Sequence, residues 1–117
     1  VMASRAGVTC AGALFLRSSD TMYGRYWGSS ENSPGLHFET CYYRGIEYCL
    51  NEGLRYFEPG AQGEHKVARG FLPVMTHSRH WLREPAFGAA LQPWCAEETC
   101  AMTAYADRIR STGPYLD

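Results

Sequence analysis

A chain of 117 residues with 45% hydrophobic and 14% aromatic content can build one core of ordinary size and is too short for two full domains. Its 11 Lys+Arg and 12 Asp+Glu give a net charge of -1, so no global field draws it onto DNA or an anionic membrane. No run reaches the roughly 18 apolar residues that a membrane helix needs, so no membrane insertion is expected; five irregularly spaced cysteines without a disulfide pattern make a reducing cytoplasm the expectation.

Val8 to Leu16 is a small and apolar run followed by the turn cluster Arg17-Ser-Ser-Asp20. Thr21 to Gly28 then alternates, with Tyr23, Arg25 and Trp27 on one face and Met22, Gly24 and Tyr26 on the other. Two extended runs around a short polar turn predict a β-hairpin. Ser29 to Gly35, rich in Ser, Asn, Pro and Gly, predicts a loop. Leu36 to Thr40 alternates apolar with polar residues and predicts a third short strand. Thr40 is the expected N-cap of a helix whose apolar stripe is Tyr42, Ile46, Cys49 and Leu50. Asn51-Glu52-Gly53 stops that helix, and Arg55 to Glu58 returns as a short aromatic strand. Strand, helix and strand at this spacing form a crossover unit with parallel, right-handed strands. A further strand is expected around Pro73 to Trp81. Glu84-Pro85 opens a helical region. Pro93 should break or kink it, Ala96 to Arg110 forms a second helical piece, and Gly113-Pro114 ends it. The expected class is a mixed sheet of α+β or α/β type, with a β-hairpin, a β-α-β unit and C-terminal helices. Residues 8–83 form its core and 84–117 its helical region.

The densest polar stretch is the glycine-spaced loop after Pro59, which carries Gln62, Glu64, His65, Lys66 and Arg69 between apolar Phe57 and Phe71. Amides around Gly60, Ala61, Gln62 and Gly63 suit an anion-binding nest, with Lys66 and Arg69 adding charge. Glu64 or His65 suits a general base; a solvated turn is the competing reading. No lysine-serine ending of a P-loop follows, which disfavours a nucleoside triphosphate. Glu39 at a strand end is either a substrate anchor or a carboxylate favouring the helix dipole. His77 and His80 sit on opposite faces of an expected strand, so no metal is expected. The five cysteines have no C-x-x-C pair, which argues against a disulfide framework or zinc site. Cys41, a possible nucleophile near His37, reads better as a buried helix residue.

Gly12-Ala-Leu-Phe-Leu16, Tyr23-Gly-Arg-Tyr-Trp-Gly28 and Leu36 to Tyr48 resemble a bacterial family of N-acyltransferases of the GNAT superfamily. That family is FemAB-like and labelled as related to peptidoglycan biosynthesis. The most specific match is Arg55 to Phe71, followed by Thr76-His-Ser-x-His-Trp81. The resemblance implies a GNAT-like fold. It also implies that this chain, whose first residue is Val1, is the C-terminal half of a longer tandem protein. It implies transfer of an acyl or aminoacyl group from a CoA thioester, or alternatively an aminoacyl-tRNA, to a small-molecule or peptide amine, with no tightly bound cofactor. Glu64, His65 and Lys66 are then the catalytic candidates. Thr40, Tyr42, Arg44 and Gly45 match the donor-binding helix start. Glu39, Gly60, Gln62, Gly63, Arg69 and His77 are left to hold substrate. The rival expectation is a non-catalytic half that binds substrate or a partner, its exposed interface pairing with the missing half or a second copy.

Overall fold

The computed structural model describes residues 1–61 and 63–112. The chain divides into two compact units, one ending before Gly63 and one beginning there.

The first unit is a four-stranded sheet in the order β1 (Met2–Arg5), β2 (Val8–Arg17), β3 (Thr21–Ser29), β4 (Tyr56–Glu58). The first three strands are antiparallel and β4 joins β3 in parallel. The β2–β3 hairpin forms where the alternation predicts it. Its turn is closed by its own polar groups: Ser18 N–H donates to Thr21 O at 2.9 Å, and Thr21 N–H to Ser18 Oγ at 3.2 Å. The strand β1 is not visible in the alternation. It pairs through a two-residue turn in which Ala6 and Gly7 have φ of 49° and 80°, both positive as a tight hairpin requires. An alanine in that conformation is an uncommon signal.

Leu36 to Thr40 is not a strand. Gly35, with φ 78°, starts a helical run made of α1 (Leu36–Phe38), a π-helical turn (Glu39–Tyr43) and α2 (Arg44–Asn51). Five alternating residues fit a strand, but the buried set Cys41, Gly45 and Cys49 recurs every four residues, and that longer helical period decides. Thr40 is therefore no N-cap; it lies inside the π-helical turn and is 2% exposed. Leu50, expected on the apolar stripe, is 77% exposed. The stop is as expected: Leu54 N–H reaches Cys49 O at 2.9 Å, Gly53 N–H reaches Leu50 O at 3.4 Å, and Gly53 has φ 66°. This run crosses from β3 to β4 and packs on one sheet face. Gly45 lies against Phe57 and Met22, which face each other across the β3–β4 pair.

In the second unit a 3-10 helix spans Glu64–Arg69 and α3 spans Pro85–Thr112. The strand expected around Pro73 to Trp81 does not form. Pro73 supplies no N–H, and Val74 to Trp81 are all exposed, leaving no buried face to hold a ladder. The helix α3 begins at Pro85 as expected but runs through Pro93 without dividing into two pieces. Proline removes only one hydrogen bond and one carbonyl's space, and the helix carries many alanines, the strongest helix formers. The expected Gly113-Pro114 stop lies outside the described residues. Toward its C-terminal end α3 is tied to the preceding segment by Arg110, whose Nη2 donates to Pro73 O at 2.8 Å. Ala106 there is 3% exposed.

Candidate functional site

The polar loop folds into a tight turn because glycines bracket it. Gly63 enters with φ 114° and ψ 104°, and Gly70 leaves with φ 85°, its N–H donating to Val67 O at 3.0 Å. Gly63 is required for a second reason: a Cβ there would collide with the His65 imidazole, which lies over it. Lys66 N–H donates to Gly63 O at 3.1 Å, and Phe71 N–H, just past the second glycine, donates to Lys66 O at 3.2 Å.

A 3-10 helix has three residues per turn, so Glu64, His65 and Lys66 point in three directions while Lys66 and Arg69 share a face. Arg69 Nη1 donates to His65 O at 2.6 Å, which binds that face back onto the turn. Glu64 is exposed and accepts from the Tyr105 hydroxyl at 3.3 Å, so the helix α3 holds one carboxylate oxygen of the turn. Arg108 lies over the Tyr105 ring, 5.4 Å from its centroid. Lys66 is half-buried, and burial pulls its ammonium below the usual lysine value. The sequence does not mark Tyr105: nothing in the local pattern of α3 shows that its hydroxyl faces a turn 41 residues earlier.

The remaining candidates belong to other elements of the chain. Gly60, in the first unit, has φ 97°, and Gln62 lies outside the described residues. His77 is exposed in the extended segment, and His80 Nε2 lies 3.0 Å from Ser78 Oγ. Among the described residues no group of three or more His, Cys, Asp or Glu could hold a metal ion. In the first unit Thr40, Tyr42 and Gly45 are buried within the helical run rather than at its start. Arg44 is exposed and bridges two carboxylates, Glu39 at 3.0 Å and Glu47 at 2.8 Å, which raise its pKa, the Glu47 hydrogen bond most. Cys41 and Cys49 are buried thiols whose pKa values burial pushes up, so neither is a ready nucleophile.

Chemically, the Gly63–Gly70 turn offers a carboxylate oriented by a phenol, an imidazole, and an amine with a lowered proton affinity. Each of these groups can take or give a proton, and the three leave the 3-10 turn in different directions. No described helix is long and apolar enough to cross a membrane. Comparison with curated proteins and with solved structures returns no match. A family model described as peptidoglycan biosynthesis/recognition matches residues 1–117. The mixed sheet, its helical crossover and the polar turn thus belong to a member of the FemAB-like family.

Proposed function

We propose that the chain is an N-acyltransferase domain of GNAT-like fold that moves an acyl or aminoacyl group to an amine in cell-envelope metabolism. The family supports the peptidoglycan context, and the order of hairpin, helix and parallel β4 supports the fold. The observation that carries the reaction is Lys66, half-buried with its proton affinity lowered, in the same short turn as the Tyr105-held Glu64.

The acceptor amine attacks the carbonyl of a thioester or ester, forming a C–N bond. Glu64 takes the proton that the amine loses, with His65 as the other base within the turn. The Lys66 ammonium stabilises the oxyanion. Its lowered pKa also lets it hand a proton to the leaving thiolate or alkoxide as the C–S or C–O bond breaks. On the donor side Arg44 is the exposed member of the matching segment, since Thr40, Tyr42 and Gly45 are buried; a donor phosphate would have to displace Glu39 and Glu47 from its guanidinium. Within the unit that holds the turn, Gly63, Arg69 and His77 remain the proposed acceptor-side residues.

Thermal unfolding with a panel of CoA thioesters and aminoacyl esters tests donor binding. A donor at about 100 times its Kd adds about 2.7 kcal/mol, which appears as a raised Tm. A rise confined to one donor supports the reading, and an unchanged Tm across the panel contradicts it.

A further inference from the structure

The helical run packs on one face of the β1–β4 sheet, where Met22 and Phe57 meet Gly45. Side chains alternate along a strand, so the residues one step on point away from the helices. Strand pairing sets them in three rows: Met2–Gly12–Gly28, Leu14–Tyr26 and Leu16–Tyr23–Glu58. Every side chain in these rows is exposed, Leu14, Leu16 and Tyr26 at 51%, 54% and 65%. Single apolar side chains on a surface need no explanation, but neighbours on one sheet face form a contiguous patch. Gly28 is a second, independent sign. Its φ is not positive, and a Cβ there would meet nothing within 4 Å. Neither its backbone nor packing within the chain requires a glycine, which weakens a strand interior. Met2 already covers Gly12, its sulfur 3.1 Å from where a Cβ would stand. The bare position at Gly28 is thus a hollow beside two bulky rows, and a strand glycine of this kind marks close approach from outside.

We propose that this sheet face pairs with the same face of a second copy of the chain about a two-fold axis. The axis runs across the strands through the middle row. It lays the third row of each copy over the first row of the other, so Tyr23 fills the other copy's Gly28 hollow. Leu14 meets its own counterpart. Such an interface is isologous, and only a face whose hollows match its own projections permits it. Stacked sheets with closely aligned strands have this arrangement. Charge agrees. The face holds one carboxylate, Glu58, at the β4 end of the third row. Its one cation is Arg25, whose guanidinium lies over the Tyr26 ring, 5.2 Å from the centroid. The axis sets Glu58 of each copy beside the first row of the other, nearer that copy's Arg25 than its Glu58. The net charge of -1 adds little repulsion between copies. The patch is small for a specific interface, so the dimer is reversible, with a Kd in the micromolar range or above. The inference rests on the first unit alone and is read by mass rather than turnover, so it is separate from the transfer reading.

The test is the mass of the whole chain by sedimentation equilibrium over a concentration series. The expected mass rises from monomer toward dimer and stops there. Gly28→Val fills the hollow; in a single copy its side chain meets open space, so the fold is kept while dimerisation weakens by about tenfold or more. Leu14→Lys places like charges across the axis and should weaken it similarly, and mixing Leu14→Lys with Leu14→Glu should restore a dimer of the two. Circular dichroism confirms that each variant is folded, and either position carries the test if the other variant is not. A monomer mass up to about 1 mM, or a mass that climbs past the dimer, overturns the proposal. So does a dimer that Gly28→Val and Leu14→Lys leave intact, or failure of the two Leu14 variants to pair.

Discussion

At the scale of single residues, burial decides which reactive groups are available. Cys41 and Cys49 are buried with raised pKa values, whereas Cys95 and Cys100 stand exposed on α3. An alkylating reagent at neutral pH should therefore label Cys95 and Cys100 quickly and leave Cys41 and Cys49 protected until unfolding, as peptide mass mapping would show. Fast labelling of Cys41 in the native chain would contradict its placement. The same shift has a pH consequence. Above the ordinary thiol value of 9.0 the unfolded chain loses a proton that folded Cys41 retains, so stability should fall as pH rises past that value. Arg44 illustrates the opposite case. Its two ion pairs join exposed side chains, and solvent screening leaves such pairs a small contribution to stability. Arg44→Ala should lower stability by no more than that in a urea titration while weakening a phosphate-bearing donor. A large loss of stability would show that Arg44 is structural.

At the scale of elements, close approach governs the crossover. A Cβ on Gly45 would lie 2.6 Å from the Phe57 ring and 3.0 Å from Met22 Cε. Helix propensity alone would favour alanine at this position by about 1 kcal/mol. Overpacking costs about 1–3 kcal/mol, so Gly45→Ala should destabilise on balance, and Phe57→Leu in the same chain should recover part of the loss. A Gly45→Ala variant more stable than the parent would show that the ring yields freely. The same elements show which signals a sequence carries. The β2–β3 hairpin, the Gly53 stop, β4 and the Pro85 start were legible because each has a local chemical cause: alternation, a left-handed glycine, an aromatic run, a proline in a first turn. Leu36 to Thr40 was misread because five residues fit both periods, and only the burial that continues through Cys41, Gly45 and Cys49 selects the helix. The segment after Pro73 was misread because apolar residues were present without a sheet edge to receive them. Site legibility follows the same rule. The turn could be found from its own glycines and charges, but its link to Tyr105 is a long-range contact that no local pattern encodes.

At the scale of the whole molecule, family membership sets the peptidoglycan context, and the Gly63–Gly70 turn supplies the chemistry that the transfer reading assigns to it. The most direct measurement is mass-spectrometric detection of acylated amine from the intact chain supplied with a donor panel and an amine acceptor. The parent, Glu64→Gln, Lys66→Ala and Tyr105→Phe are compared after circular dichroism confirms that each is folded. A positioned acid or base contributes about 10²–10⁴-fold. Turnover by the parent should therefore fall about a hundredfold or more in Glu64→Gln and Lys66→Ala, and by less in Tyr105→Phe, which leaves the carboxylate in place without its holder. Folded Glu64→Gln and Lys66→Ala chains that turn over at the parent rate would contradict the central claim and move the chemistry away from this turn.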